Sequence, residues 1–219
     1  MSAVEATASR TGFGKRPNLQ VEGLAVSRGP ATLFRDVAFR VEGGEWLAIR
    51  GPNGCGKTTL LRCIAGLTRV DRGDVRWNGQ PTRDDPEAFN SELLYAGHLA
   101  GIKDDLSAEE NLDGALRLRG HATSIEATRS ALAEVGLEKR RHLPARRLSA
   151  GQRRRIGLAR LILDPAACWM LDEPITALDD AGQAMFSRLL RAHIDRGGLA
   201  VIATHHDLSP APGREWRFA

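Results

Sequence analysis

The 219-residue sequence predicts an α/β fold with a mainly parallel core sheet, an N-terminal antiparallel β part and a small helical subdomain. Three observations carry that expectation. Two short, wholly apolar runs, residues 168–171 and 199–203, have the continuous hydrophobic pattern of parallel strands covered on both faces. A helical pattern over residues 180–192 lies between them, giving strand, helix, strand. A glycine-rich loop separates a third strand, residues 45–50, from Leu60, Leu61, Ile64 and Ala65, which recur at helical spacing.

The other elements follow in chain order. The first 18 residues include Glu5 and no apolar block, which is the composition of a loose tail rather than a signal peptide. Residues 19–26 and 36–41 show partial period-two alternation and read as antiparallel strands. Gly66 is the expected stop of the helix after the glycine loop. Residues 73–79 read as a hairpin piece and 93–96 as a short buried strand. From Ser107 to Gly136 the pattern is helical, with Thr123 and Glu126 at capping-box spacing before the second run. Ser149 and Gln152 form a further capping-box pair, opening a helix through Leu163. The expected organisation is a tail over 1–18, one domain over 19–208 holding the helical part at about 98–150, and a short tail over 209–219.

Composition narrows the function classes. Hydrophobic residues at 42% and charged residues at 26% suit a soluble globular chain that buries a core. No stretch reaches the ~18 consecutive apolar residues of a membrane helix. Cys55, Cys63 and Cys168 are odd in number and lack metal-site spacing, so reduced thiols of a cytosolic compartment are expected, not a disulfide scaffold or zinc ribbon. The net charge is only +4. The clusters Lys139-Arg140-Arg141, Arg146-Arg147 and Arg153-Arg154-Arg155 can serve nucleic acid, lipid head groups or simply solvent. Aromatics at 5%, without basic interleaving, offer no stacking platform for single strands, and no nucleic-acid partner is expected.

The chemistry is concentrated in four motifs. Gly51-Pro52-Asn53-Gly54-Cys55-Gly56-Lys57-Thr58 matches G-x-x-x-x-G-K-[ST] between a strand and a helix. Its glycines let backbone N–H groups wrap an anion at a helix N-terminus; Lys57 is placed for the β- and γ-phosphates, and the Thr58 hydroxyl for Mg²⁺. The strand at 168–171 runs into Asp172 and Glu173 before Pro174. An acid at the end of a central strand can orient Mg²⁺, and the next carboxylate can act as general base toward water. Leu148-Ser149-Ala150-Gly151-Gln152 reads as a second phosphate-binding helix start or, alone, as an ordinary capped surface helix. Thr204-His205 follows the last strand, where a single His is by itself more often structural than functional.

Together, and in this order, the motifs resemble the nucleotide-binding subunit of ATP-binding cassette (ABC) transporters, a P-loop NTPase fold, over residues 19–208. The resemblance implies ATP and Mg²⁺ as cofactors, with Glu173 as catalytic base and His205 as the switch histidine. It implies a nucleotide site from Gly51 through Thr58 and Thr59, completed in trans by Ser149, Ala150, Gly151 and Gln152 of a second copy. It implies metal contacts from Thr58 and Asp172, and a subunit-crossing role for Asp179 in Thr176-Ala177-Leu178-Asp179. Two positions depart from the family pattern. Arg28 stands where an aromatic usually stacks on adenine, and a guanidinium plane can stack in its place. His98 stands where the family has a Gln near the metal, and its reading stays divided between metal or water contact and plain packing.

Gly97-His98-Leu99-Ala100-Gly101-Ile102-Lys103 and Leu106-Ser107-Ala108-Glu109-Glu110-Asn111-Leu112 are similar to the CcmA-type haem-exporter ATP-binding subunits of cytochrome c maturation. That resemblance implies a homodimer of ATPase subunits working with integral membrane subunits at the cytoplasmic face of the bacterial inner membrane, with haem handled indirectly. The alternatives are an ABC ATPase serving another substrate, a non-transport cassette ATPase, or a nucleotide sensor without turnover.

Overall fold

The computed structural model describes Phe13 and residues 16–29, 31–97 and 101–218. Those residues fall into two compact units, one from 13–97, 166–174 and 193–218, the other from 101–165 and 175–192.

The first unit is built on two sheets. β1 (Asn18–Arg28) and β2 (Ala31–Glu42) form an antiparallel hairpin, extended by β4 (Arg72–Trp77) and the short β5 (Gln80–Pro81) in the order β2-β1-β4-β5. Its alternation is imperfect because the β1–β2 register shifts between Val21 and Leu24, between Leu24 and Val26, and between Val26 and Ser27. The second sheet has the order β6-β7-β8-β3-β9, from β6 (Leu93–Ala96), β7 (Cys168–Asp172), β8 (Leu199–Ala203), β3 (Trp46–Arg50) and β9 (Arg214–Arg217), with every pairing parallel. All five residues of each of β3, β7 and β8 are buried, as a sheet covered on both faces requires. Helix α1 (Lys57–Ile64) follows the glycine loop and buries Leu60, Leu61 and Ile64 completely. Helix α2 (Pro86–Glu92), missed in the sequence, starts on the Asp85 carboxylate with Pro86 in its first turn.

The helical unit holds α3 (Ala108–Arg117), α4 (Ile125–Glu134) and α5 (Ala150–Leu163), and α6 (Asp180–Asp195) begins in it. It therefore runs beyond the expected 98–150 to residue 165 and takes in 175–192. Ser107 with Glu110, and Ser149 with Gln152, each close a capping box. The second helical run does not start on Thr123: Ser124 is the cap and accepts from Ala127 N at 3.1 Å, while Thr123 Oγ1 lies 3.2 Å from Thr128 Oγ1. Two residues of the same capping class stand side by side, and spacing alone selected the wrong one.

The expected C-terminal tail needs correction, while residues 1–12, 14 and 15 of the expected N-terminal one lie outside the described residues. Residues 209–219 include β9, paired to β3, and Trp216 and Phe218 pack on the core. Their period-two alternation is too short to mark a strand from sequence alone. Phe13, placed in the N-terminal tail by composition, meets the ring of His193 edge-on at 5.8 Å.

His193 is fully buried, stacked on Trp169 with ring centroids 3.9 Å apart, and its Nε2–H donates to the Leu199 carbonyl at 3.1 Å. Burial pushes its pKa down to about 3 from 6.5, because an imidazolium there would be stripped of water. The unfolded chain then binds a proton near pH 6.5 that the folded chain refuses, so stability is present above that pH and is lost as pH falls below it. Wild type is expected to lose about 1.4 kcal/mol more stability between pH 7.5 and 5.5 than His193→Phe, which keeps the ring stack but cannot titrate. Denaturant unfolding at the two pH values measures this, and equal losses in both proteins would show that His193 does not contribute.

Candidate functional site

The phosphate-loop motif sits between β3 and α1, in the first unit. Gly51 turns the chain at φ 150°, and a Cβ there would lie 2.9 Å from Cys55 Sγ and 2.9 Å from Phe218 Cβ, so only glycine fits this approach. Pro52, Asn53 and Gly54 are exposed at the top of the loop, and Gly56 precedes α1 as its N-cap. Lys57, 7% exposed, donates from Nζ to the Gly51 carbonyl at 2.8 Å and the Pro52 carbonyl at 3.0 Å. Its ammonium is thereby held across its own loop. Thr59 is buried in α1, and Thr58 is exposed.

The Thr58 hydroxyl donates to Asp172 Oδ2 at 2.7 Å, tying the loop to the end of β7. Asp172 is 3% exposed and stands opposite Ala203, the last residue of β8, which itself follows the Ile49–Ala203 pairing of β3 with β8. Three strands thus end level. Beyond them come Gly51, Glu173 and Thr204-His205. Glu173 takes φ 49°, its N–H donating to the Ala203 carbonyl at 2.8 Å, and its side chain turns toward His205. His205 Nδ1–H donates to Glu173 Oε1 at 2.9 Å. Two oxygen donors, a carboxylate–imidazole pair and a held ammonium therefore surround an anion-binding loop, which suits phosphate chemistry with a hard divalent cation.

Sequence reading missed two residues of this region, Arg50 and His206, and one of the helical unit, Arg155. Arg50 closes a strand that is otherwise apolar, and a charge in a wholly buried strand was the signal for it. It donates to the carbonyls of Thr204 (3.3 Å) and His206 (2.6 Å), and pairs with Asp207 (3.0 Å) and Glu215 (3.5 Å). It therefore fixes the backbone that carries His205. His206 stacks beside His205, ring centroids 3.9 Å apart. Arg155, in the helical unit, grips Asp179 with two hydrogen bonds of 2.6 and 2.9 Å from one nitrogen.

Ser149, Ala150, Gly151 and Gln152 lie in the helical unit at the start of α5, close to Asp179 in the chain's fold. Gly151 is needed there, because a Cβ would lie 2.8 Å from the Ala177 carbonyl oxygen. Asp179 Oδ1 also accepts from Gly182 N at 3.1 Å and caps α6. The Arg155 hydrogen bond, followed by that from Gly182, holds the Asp179 carboxyl below the usual carboxylate range. Arg28 ends β1, exposed, opposite Ala31 in the hairpin. His98 lies outside the described residues.

Comparison with known proteins agrees with this arrangement. The ABC transporter family profile matches residues 34–176. The cytochrome c biogenesis ATP-binding export protein CcmA of Cupriavidus pinatubonensis is 47% identical over 206 residues, covering 94% of this chain and 90% of its own. CcmA 1 of Cupriavidus metallidurans is 45% identical over 194 residues, covering 89% and 94%. A solved dimeric ATP-binding cassette in a post-hydrolysis state with ADP and Pi shares the fold, with a TM-score of 0.76 at 23% identity over 86% of this chain and 88% of its own. With a profile that spans the phosphate loop through Glu173, and relatives of this identity over most of both chains, the chain belongs to the ABC transporter family and, within it, to the group of CcmA-type ATP-binding export proteins.

Proposed function

We propose that this chain is the ATP-hydrolysing subunit of a membrane complex that serves c-type cytochrome biogenesis, handling haem indirectly. The observation that carries the reading is the level ending of β3, β7 and β8, which sets Lys57, Thr58, Asp172, Glu173 and His205 around one anion-binding loop. The relatives named for cytochrome c biogenesis supply the biological setting.

ATP places its phosphates in the loop of residues 51–58, and Lys57 exchanges its carbonyl partners for phosphate oxygens. Thr58 Oγ1 and Asp172 Oδ2 are the hard oxygen donors that suit Mg²⁺. That ion supplies charge neutralisation at the β- and γ-phosphates when bound. Glu173 accepts a proton from the attacking water as the new P–O bond forms and the bond to the β–γ bridging oxygen breaks, releasing ADP and phosphate. His205 orients Glu173 through the 2.9 Å hydrogen bond and meets the γ-phosphate.

A second copy completes the site. Ser149 and Gln152 spend their side chains on their own capping box, so the helix start of α5 presents backbone N–H groups to a nucleotide held by the other subunit. Asp179 lies beside that segment and carries the communication between subunits. Among the described residues no helix is long and apolar enough to cross a membrane. In this reading, which rests on the relatives' export role, the conformational change passes to membrane-spanning partners at the cytoplasmic face of the inner membrane.

Three experiments test this. Lys57→Ala should weaken ATP binding by about 10- to 100-fold, the worth of charge-assisted hydrogen bonds, when a fluorescent ATP analogue is titrated; unchanged affinity and turnover would remove Lys57 from the site. Glu173→Gln keeps the shape and removes the base, so turnover should fall by ~10²–10⁴-fold while ATP still binds. Sedimentation of that variant should show a dimer that forms with ATP and dissociates without it. A monomer at every ATP concentration, together with normal turnover, would sink both the base and the dimer.

A further inference from the structure

The functional site absorbs Glu173 and His205 and leaves His206 unused. The ligand atoms that Glu173, His205 and His206 offer all lie within 4.8 Å of one another. One carboxylate and two imidazoles form the donor set that Zn²⁺ takes in open, three-residue sites. We propose that these three residues form a site for a divalent cation of borderline softness, typified by Zn²⁺, whose occupancy silences ATP turnover. The silencing rests on the roles proposed above for Glu173 and His205; the site itself rests on geometry.

Glu173 Oε1 and His205 Nδ1 are 2.9 Å apart, bridged by one hydrogen. Two ligands on tetrahedral zinc, at bond lengths of about 2.0–2.1 Å, stand about 3.3 Å apart. The pair opens by a few tenths of an ångström for a cation to replace the bridging hydrogen, and the imidazole then carries its hydrogen on Nε2. Mg²⁺ does not compete well for such a donor set, since it prefers oxygen ligands and keeps its waters.

The third ligand is held ready. The His206 carbonyl accepts from Arg50 at 2.6 Å, and its N–H donates to Thr204 Oγ1 at 3.1 Å. Backbone held on both sides reduces the ordering cost of bringing a second imidazole to the metal. His205 is exposed and His206 half-buried, so a cation reaches them from solvent. Once bound, the cation occupies the lone pair with which Glu173 would accept a proton from water, and it pulls His205 away from the γ-phosphate.

The test uses the nucleotide-free full chain and zinc alone. Zn²⁺ is titrated in competition with a chromophoric chelator, and Co²⁺ spectra report the ligand type. Wild type is expected to bind one Zn²⁺ per chain, with no thiolate charge-transfer band from Cys55 or the other cysteines in the Co²⁺ form. His206→Gln and His205→Ala should each weaken binding at least ~10-fold, since loss of even an outer-shell partner costs 10–100-fold. His206→Gln should hydrolyse ATP like wild type without zinc and resist zinc concentrations that stop wild type. Absent binding, unchanged affinity in His206→Gln, or a thiolate band would each overturn the site, and wild-type turnover that ignores bound zinc would overturn the silencing. Failure of the catalytic reading is separate: it shows as normal turnover in Glu173→Gln, whatever zinc does.

Discussion

Burial on both faces leaves β3, β7 and β8 no room for polar side chains along their lengths, so chemistry can enter only where the strands stop. The parallel register makes that restriction productive. Ile49 faces Ala203, and Ala203 faces Asp172, so three strands end at one level and their first polar residues arrive side by side. The Thr58–Asp172 hydrogen bond is a direct result, joining a helix start to a strand end that is 114 residues away in the chain. A shift of one strand by a single residue would turn its buried positions and separate the loop from its acids.

Arg50 is the exception that defines the edge of this rule. A guanidinium at 8% exposure is costly to desolvate unless it is paired, and here two backbone carbonyls and the Asp207 carboxylate accept from its Nη atoms while the Glu215 carboxylate lies 3.5 Å from Nε. The charge is therefore both a strand terminus and a clamp on residues 204–207. Breaking that clamp by truncation would leave paired groups unsatisfied, whereas its neighbours in the strand contribute through apolar contact alone.

Much of this was legible in the sequence because the signals were local. The continuous apolar runs at 168–171 and 199–203 and the loop of residues 51–58 each fit within one element, and Ser149 with Gln152 sits within one helical turn. What escaped depends on distant partners. Trp216 and Phe218 alternate over too short a stretch to announce a strand, and β9 exists because the edge of β3 offers it hydrogen bonds. Thr123 and Ser124 are equally good caps by chemistry, and the helix geometry chose the second. The Arg155–Asp179 grip and the place of His206 beside Glu173 arise only after folding, since neither pair is close in sequence.

The sheet order carries a consequence for how the molecule is made. β3 bonds only to β8 and β9 in its sheet, and its residue Trp46 waits for Ala200, while β1, β2 and β4 can pair early from neighbouring sequence. Pairings of such long separation form late, because a long loop must close before any contact rewards it. During synthesis the phosphate loop therefore emerges long before the strand that anchors it has a partner. Nucleotide capture becomes a property of the finished chain, and ATP, binding only that form, draws the last step of folding toward completion.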